Sequence, residues 1–310
     1  MSVRKKVSVI GAGNVGSTLA MRIVEARLAD VVLVDVVDGL AEGKALDMMH
    51  AASITGTDKR VVGTTDYSAI KGSDVVVMTA GLPRKPGMSR EELISKNAEI
   101  VRGVASKIKE FAPKAILIMV TNPLDLMTYL AQKITGFNPE RVFGMAGLLD
   151  VARFKYLLSE ELKKPASSIE AFIVGSHSDK MVPVAGVTTV GKKPLRDLLP
   201  REKVDEVIAG TRTSGAKVVS LLGKGSAYYA PSAAAYKMAE AVLNDNSNLF
   251  CASAYLRGEY GLKDIYIGVP AKIGRGGIEE ILEVELTEEE KSDLKESADG
   301  IRDSLKKVGL

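Results

Sequence analysis

Through the first half of the chain, short runs of aliphatic and mostly β-branched residues recur at 7–10, 31–35, 60–65, 74–80, 115–122 and 141–146. They are continuous rather than alternating, the pattern of strands buried on both faces of a parallel sheet. Between several of them the apolar positions move to helical spacing. One such segment is 17–28; another is 92–111, where Leu93, Asn97, Ile100, Val101, Val104, Ile108 and Phe111 fall near one face. Pro113 then stops that helix ahead of the next strand. Strand and helix in repeated alternation predict an α/β fold built on a doubly wound parallel sheet.

Beyond about residue 146 the pattern changes to longer helices and hairpin-like strands. The segment 264–286 alternates as antiparallel strands do and carries a Gly-rich turn at 274–277. Thr287 followed by Glu290 has the spacing of a capping box opening a helix over 288–307. Two domains are therefore expected, 1–145 and 146–310, the second an α+β unit, packed tightly enough to leave a cleft between them.

At 310 residues, with 46% hydrophobic and 26% charged positions, the chain can bury a sizeable interior and is neither disordered nor fibrous. Its 42 basic and 39 acidic residues are interleaved, without the basic stripe that nucleic acid would select. Cys251 is the single cysteine, so an intrachain disulfide and a cysteine metal cluster are excluded and the residue reads as small core filling. The apolar run after the first lysines is too short for a signal peptide, and no stretch approaches a membrane span. A cytoplasmic protein with no membrane and no nucleic-acid partner is expected.

The stretch GAGNVG, from Gly11 through Ala12, Gly13, Asn14 and Val15 to Gly16, lies directly after the first strand and before the first helix. In a G-x-G-x-x-G turn the first glycine allows the tight bend, the second lets backbone approach a pyrophosphate, and the third lets helix and strand pack closely. The second strand ends at Asp35, at the distance where a carboxylate accepts hydrogen bonds from the adenosine ribose. Together these mark a Rossmann dinucleotide site. Asp35 favours NAD, because a carboxylate repels the extra phosphate of NADP; FAD can use the same turn.

Downstream, Arg84 and Arg90 fall in a loop after the fourth strand, where open α/β sheets place ligands. Guanidinium groups there can grip carboxylates, although a solvated basic loop would read the same way. Asp150 and Arg153, three apart in LLDVAR, share one side of a helix and could be no more than an ion pair. His177, in GSHSDKMVP, is one of two histidines, and spacing alone does not bring it to Asp150. The other, His50, lies in an apparent helix without a matching motif and reads as structural or interfacial, with Met48 and Met49 beside it packing. No spacing of histidine, cysteine and carboxylate suggests a metal.

Taken in order, GAGNVG, AGLPRKPGMSR, VTNPLD, GLLDVAR, GSHSDKMVP, GSAYYAP and GVPAKIGRGG resemble the NAD-dependent malate dehydrogenases of the lactate dehydrogenase-like group, from Val7 to the C-terminal helix. The resemblance implies reversible oxidation of (S)-malate to oxaloacetate by hydride transfer to NAD. In it, His177 takes the hydroxyl proton and Asp150 orients the imidazole and stabilises its cation. Arg153 would bind the carboxylate beside the reacting carbon, and Arg90 would polarise the carbonyl and help exclude water. Asn122 would touch substrate and nicotinamide, with Asn97, Val120 and Thr121 lining the cofactor pocket.

Arg84 would meet the second carboxylate, where lactate enzymes typically carry glutamine; a monoacid would leave a desolvated guanidinium unpaired, at a cost of about 2–5 kcal/mol. Met88 and Ala227 also fit the malate pattern. A dehydrogenase for another 2-hydroxy acid and a non-catalytic NAD-binding protein are the competing readings. The resemblance further implies a homodimer or homotetramer, with the helix around 38–54 between subunits.

One departure falls beside the histidine. The family's usual stretch is His-Gly-Asp after a glycine, whereas here Ser176 and Ser178 flank His177 and Lys180 follows Asp179. If a glycine at 178 serves a positive φ or a close substrate approach, serine strains the turn or repositions the imidazole, altering rate or affinity without loss of the chemistry.

Overall fold

The structure, a computed structural model, describes residues 4–82 and 89–310. Six parallel strands occupy the first half: β1 (Lys6–Ile10), β2 (Asp30–Val34), β3 (Val61–Thr64), β4 (Val75–Met78), β5 (Ile116–Met119) and β6 (Val142–Gly144). Their spatial order, β6-β5-β4-β1-β2-β3, reverses between β1 and β4. Val9 pairs with Leu33 on one side and Val77 on the other, so β1 is central and both its faces need apolar cover. Successive connections leave β1 and β4 toward opposite sides, and a crevice opens at their carboxyl ends.

The strands are shorter at their carboxyl ends than the apolar runs suggest. Residues 79–82 and 120–122 leave the sheet and form the rim of that crevice. Their backbone is still tied to it, Thr79 N–H donating to Ile10 and Val120 N–H to Met78. The helices are α1 (Asn14–Glu25), α2 (Leu40–Thr55), α3 (Arg90–Phe111) and α4 (Leu124–Thr135) in this half. Helix α1 begins three residues before the expected start, inside the glycine turn, because Gly13 takes the extended N-cap conformation. Its Leu19, Ala20, Ile23 and Val24 are fully buried against the sheet, each large side chain contributing about 1.5–3 kcal/mol.

The second half contains α5 (Gly147–Leu162), the two-residue strands β7 (Ile169–Glu170), β8 (Ile173–Val174), β9 (Val182–Pro183), β10 (Thr189–Val190) and β11 (Lys193–Pro194), then α6 (Arg201–Leu222) and α7 (Tyr229–Asn244). A meander follows of β12 (Asn248–Arg257), β13 (Lys263–Gly274) and β14 (Gly277–Ile281), closed by α8 (Glu288–Lys307). The capping box is formed as expected: Thr287 accepts from Glu290 N–H, and the Glu290 carboxylate accepts from Thr287 N–H.

The two halves share one sheet. Strand β12 adds antiparallel to β6 through Ser253 and Gly144, giving nine strands in the order β14-β13-β12-β6-β5-β4-β1-β2-β3. Helix α7 also crosses back to cover α1, where Arg22 donates to the Ser232 hydroxyl. A smaller apolar cluster of Val151, Phe154, Leu158, Met181, Val204 and Val207 fixes α5 against α6. The consequence for the site is rigidity: α4, α5 and the 175–181 loop are all anchored on this continuous framework.

Candidate active site

The glycine turn is shaped for a phosphate. A Cβ on Gly11 would come within 2.8 Å of Ala80 N, and one on Gly16 within 1.9 Å of Gly11 O, so both positions require hydrogen. Gly13 differs, because a Cβ there would meet nothing within 4 Å. It faces open space at the helix start, where no side chain caps α1 and no acidic residue occupies its first turn. The backbone N–H groups of Asn14, Val15 and Gly16 there lack intrahelical acceptors, which is what an anion needs.

Asp35 stands directly after β2. Its carboxylate accepts from Ala12 N–H at 2.6 Å and from Val37 N–H at 3.0 Å, so two backbone donors aim it at the turn while lone pairs remain for ribose hydroxyls. Lys44 donates to Ala12 O at 2.6 Å and braces the same turn from α2.

Asn97 is almost fully buried in α3. Its amide donates to Leu82 O and Asn122 O, and its carbonyl accepts from Leu82 N–H, so it ties the two rims of the crevice together. Thr121 donates to Ala80 O at 2.6 Å across the same gap. Val120 is half-buried, and Asn122 is exposed at the carboxyl end of β5.

Facing this crevice is a compact charged group. His177 Nδ1 lies 2.7 Å from Asp150 Oδ2, and Arg153 Nη1 lies 3.0 Å from Asp150 Oδ1. The Asp150 side chain is only 2% exposed, against 16% for His177 and 18% for Arg153, so the carboxylate is the buried hinge of the trio. With Nδ1 donating to Asp150, Nε2 is the nitrogen left for a ligand. Burial alone would lower the imidazole pKa, but the charge and hydrogen bond of Asp150 outweigh it, and the net shift is upward from 6.5.

A second carboxylate, which the motifs did not single out, holds the same residue by its backbone. Asp125 in α4 accepts from His177 N–H at 2.9 Å and from the Ser253 hydroxyl at 2.7 Å. Burial pushes its pKa up, against those two hydrogen bonds. Gly215, inside α6, was also missed: a Cβ there would lie 3.4 Å from Arg153 Nη2. A glycine within a helical pattern is the signal that would have drawn attention to this position.

Arg84 and Met88 lie outside the described residues, as does the side chain of Arg90, whose backbone opens α3. Two further expectations need correction. Ser178 does not adopt positive φ; the left-handed residue of the turn is Gly175, at +94°, so serine at 178 does not strain the loop. Of the two readings of His50, its exposure rules against structural packing and leaves the interfacial one, while Met48 is buried and Met49 packs on the core. Cys251 is core filling as expected, its thiol pushed up to about 12 by burial.

A doubly wound fold with a phosphate-binding turn facing a histidine, aspartate and arginine defines a dinucleotide-dependent class. Within it, residues 5–144 match the lactate/malate dehydrogenase NAD binding domain and residues 148–309 the lactate/malate dehydrogenase alpha/beta C-terminal domain; the chain belongs to this family. The malate dehydrogenase of Methanosarcina mazei is 51% identical over 98% of this chain and 99% of its own length. The Salinibacter ruber malate dehydrogenase structure superposes with a TM-score of 0.93 at 45% identity, covering 98% of this chain and 97% of that one. A lactate dehydrogenase of Cryptosporidium parvum, complexed with lactic acid and nicotinamide adenine dinucleotide, superposes at 0.96 with 41% identity over 99% and 98% of the two chains.

Proposed function

We propose that the protein is an NAD-dependent malate dehydrogenase, interconverting (S)-malate and oxaloacetate. The observation that carries this reading is the His177–Asp150 contact at 2.7 Å, with Arg153 on the other oxygen of the same carboxylate. Curated relatives near 50% identity over nearly the whole chain are malate dehydrogenases, which supports the substrate.

Bound NAD, held by the turn from Gly11 to Gly16 and by Asp35, supplies the hydride acceptor, and NADH the donor. In the oxidation, His177 Nε2 accepts the hydroxyl proton as hydride leaves C2. Asp150 keeps Nδ1 protonated, so that the lone pair sits on Nε2, and stabilises the imidazolium once formed. Arg153 meets the carboxylate beside C2 as a planar donor pair. In the reduction the same imidazolium returns its proton to the carbonyl oxygen. Arg90 polarising that carbonyl, Asn122 touching substrate and nicotinamide, and Arg84 receiving the second carboxylate are roles read from the sequence.

The exposed side of α2 presents Leu46, His50 and Ile54 at successive four-residue spacings, with Ile54 88% exposed, while Ala41, Ala45, Met48 and Ala52 face the protein's own core. Two exposed apolar side chains on this outer face, Leu46 and Ile54, fit burial against a second copy in a homodimer or homotetramer. No helix among the described residues is long and apolar enough to cross a membrane; the single buried Cys251 suits the cytoplasm.

The deciding assay follows NADH absorbance with oxaloacetate and with pyruvate under matched conditions, with NADPH as the cofactor control. Turnover confined to oxaloacetate and NADH is expected. Pyruvate is the informative competitor because a lactate dehydrogenase is so similar in structure, and a preference for it would overturn the substrate. Binding of NADH without turnover of either would overturn the reading as an enzyme of this kind.

A further inference from the structure

The two serines beside His177 join a third on the last helix. Ser176 N–H donates to Ser297 Oγ at 2.8 Å, Ser297 Oγ–H donates to Ser176 Oγ at 2.9 Å, and Ser176 Oγ lies 2.7 Å from Ser178 Oγ. Ser178 Oγ also accepts from Lys180 N–H at 3.1 Å. A hydroxyl has one hydrogen. Ser297 spends its own on Ser176, and either hydroxyl can donate in the Ser176–Ser178 contact, so the three side chains form one connected chain from α8 outward.

Its inner members are closed to solvent. Ser297 is 1% exposed and Ser176 is 8% exposed, so water is poorly placed to replace either hydroxyl. The loop is already seated on β13, where Gly175 exchanges backbone hydrogen bonds with Gly268, and its bend is set by Gly175 at φ +94°. Ser297 also packs where a Cβ on Gly175 would come within 3.1 Å of its oxygen. What the hydroxyls add is control of the two peptide units on either side of the imidazole, which glycines would leave freer to rotate.

We propose that Ser297, Ser176 and Ser178 act as positioning residues for His177, a connected hydroxyl chain by which the C-terminal helix fixes the segment that presents the imidazole to substrate. Three elements then converge on one residue. Helix α8 sets the flanking backbone through the serines, α4 holds His177 N–H through Asp125, and α5 holds the ring through Asp150. The proposal rests on the reading of His177 as the acid/base.

The test uses Ser176→Ala, Ser178→Ala, the double variant and Ser297→Ala in the full-length protein. For each, kcat and KM for oxaloacetate, the pH dependence of kcat and the Tm are measured. The charged groups facing the imidazole, Asp150 and Arg153 from α5 and Asp125 from α4, are untouched by these changes. Because the first two substitutions break one chain, each is expected to lower kcat by about three- to tenfold, with the double variant no worse than either single one. KM should change little, and the kinetic pKa of the imidazole should move down as its hold on Asp150 loosens. Ser297→Ala should lower kcat at least as much and also lower Tm, since it strands the buried Ser176 N–H.

Lowered Tm with parental kcat and pH profile in all four variants would overturn the proposal and leave the serines as packing. Multiplying effects in the double variant would also overturn it, as independent contacts and not a chain. His177→Asn, run alongside, separates the two readings: if it keeps parental turnover, the acid/base assignment falls and takes the proposal with it. If it is inactive while the serine variants behave as the parent, only the positioning proposal falls.

Discussion

Replacing Asp150 by asparagine changes almost no volume and removes one charge from a site where that charge has two partners. Both carboxylate oxygens are in use, Oδ2 by His177 Nδ1 at 2.7 Å and Oδ1 by Arg153 Nη1 at 3.0 Å, on a side chain only 2% exposed. An amide offers one acceptor where two donors now converge. If its NH2 faces the histidine, Nδ1 must become the acceptor and the ring proton moves to Nε2, which can then no longer take a proton from substrate. If it faces Arg153, a permanently charged donor confronts another donor and the guanidinium is displaced. Loss of one charge-assisted hydrogen bond costs about 1.5–3 kcal/mol, and the unsatisfied buried group about 1–3 kcal/mol more. The sum, about 2.5–6 kcal/mol, corresponds to a fall in kcat/KM of roughly seventy- to twenty-five thousand-fold. Steady-state kinetics with oxaloacetate and NADH reads it directly, and the split identifies the orientation: kcat falls in the first case, KM rises in the second. A variant that keeps its Tm and stays within threefold of the parent in kcat/KM at neutral pH would refute the assignment of Asp150.

Other outcomes follow from the same geometry. Because the His177 pKa is raised above 6.5, malate oxidation, which needs the neutral ring, should increase with pH through a midpoint above 6.5, and oxaloacetate reduction, which needs the cation, should decline over the same window; pH–rate profiles in both directions check the opposed signs. Asp35→Ala removes the acceptor of Ala12 N–H and Val37 N–H as well as the charge facing a 2′-phosphate, so NADH affinity should fall about tenfold or more while the preference over NADPH shrinks, as read by fluorescence titration. Gly215→Ala should leave activity near parental and raise stability by about 0.5–1 kcal/mol, since 3.4 Å is ordinary contact and alanine favours helix; Gly215→Leu should raise the KM for oxaloacetate by crowding Arg153. Leu46→Glu with Ile54→Glu should shift the mass measured by light scattering toward the monomer.

The parallel half of the fold was legible because strands buried on both faces leave uninterrupted apolar runs: β3 to β6 fall within the expected segments, and β1 and β2 each begin one residue before theirs. The ends of those runs were misleading for a physical reason: residues 79–80 and 120–122 continue the runs in sequence but leave the sheet, their polar groups bonding to the neighbouring segments instead of extending a ladder. Nothing local announces that β12 joins β6 through Ser253 and Gly144, since a single ladder pair between distant segments leaves no periodic trace. The His177, Asp150 and Arg153 trio was nameable by motif, but its contact required α5 and the β8–β9 loop to meet on the shared framework. The expected strain at Ser178 failed because the turn had already placed its left-handed residue at Gly175.

Burying two carboxylates around one histidine is costly, and the division of their contacts explains why both are present. Asp150 holds the ring and thereby sets tautomer and charge; Asp125 holds the backbone N–H and takes the Ser253 hydroxyl from β12, so it ties the histidine's main chain to α4 and the central sheet. A ring held by Asp150 alone could still swing about its Cα as the loop moved, because one hydrogen bond fixes a distance and not a position. With the main chain pinned as well, Nε2 is confined to one place relative to β5 and the glycine turn. Orientation within about 0.5 Å is what proton transfer demands. Both Asp125 oxygens are used to hold donors, and this geometry predicts that Asp125→Asn, able to keep one acceptor for His177 N–H, loses far less activity than Asp125→Ala in the same oxaloacetate assay. Equal losses in the two variants would show that the carboxylate acts through its charge instead.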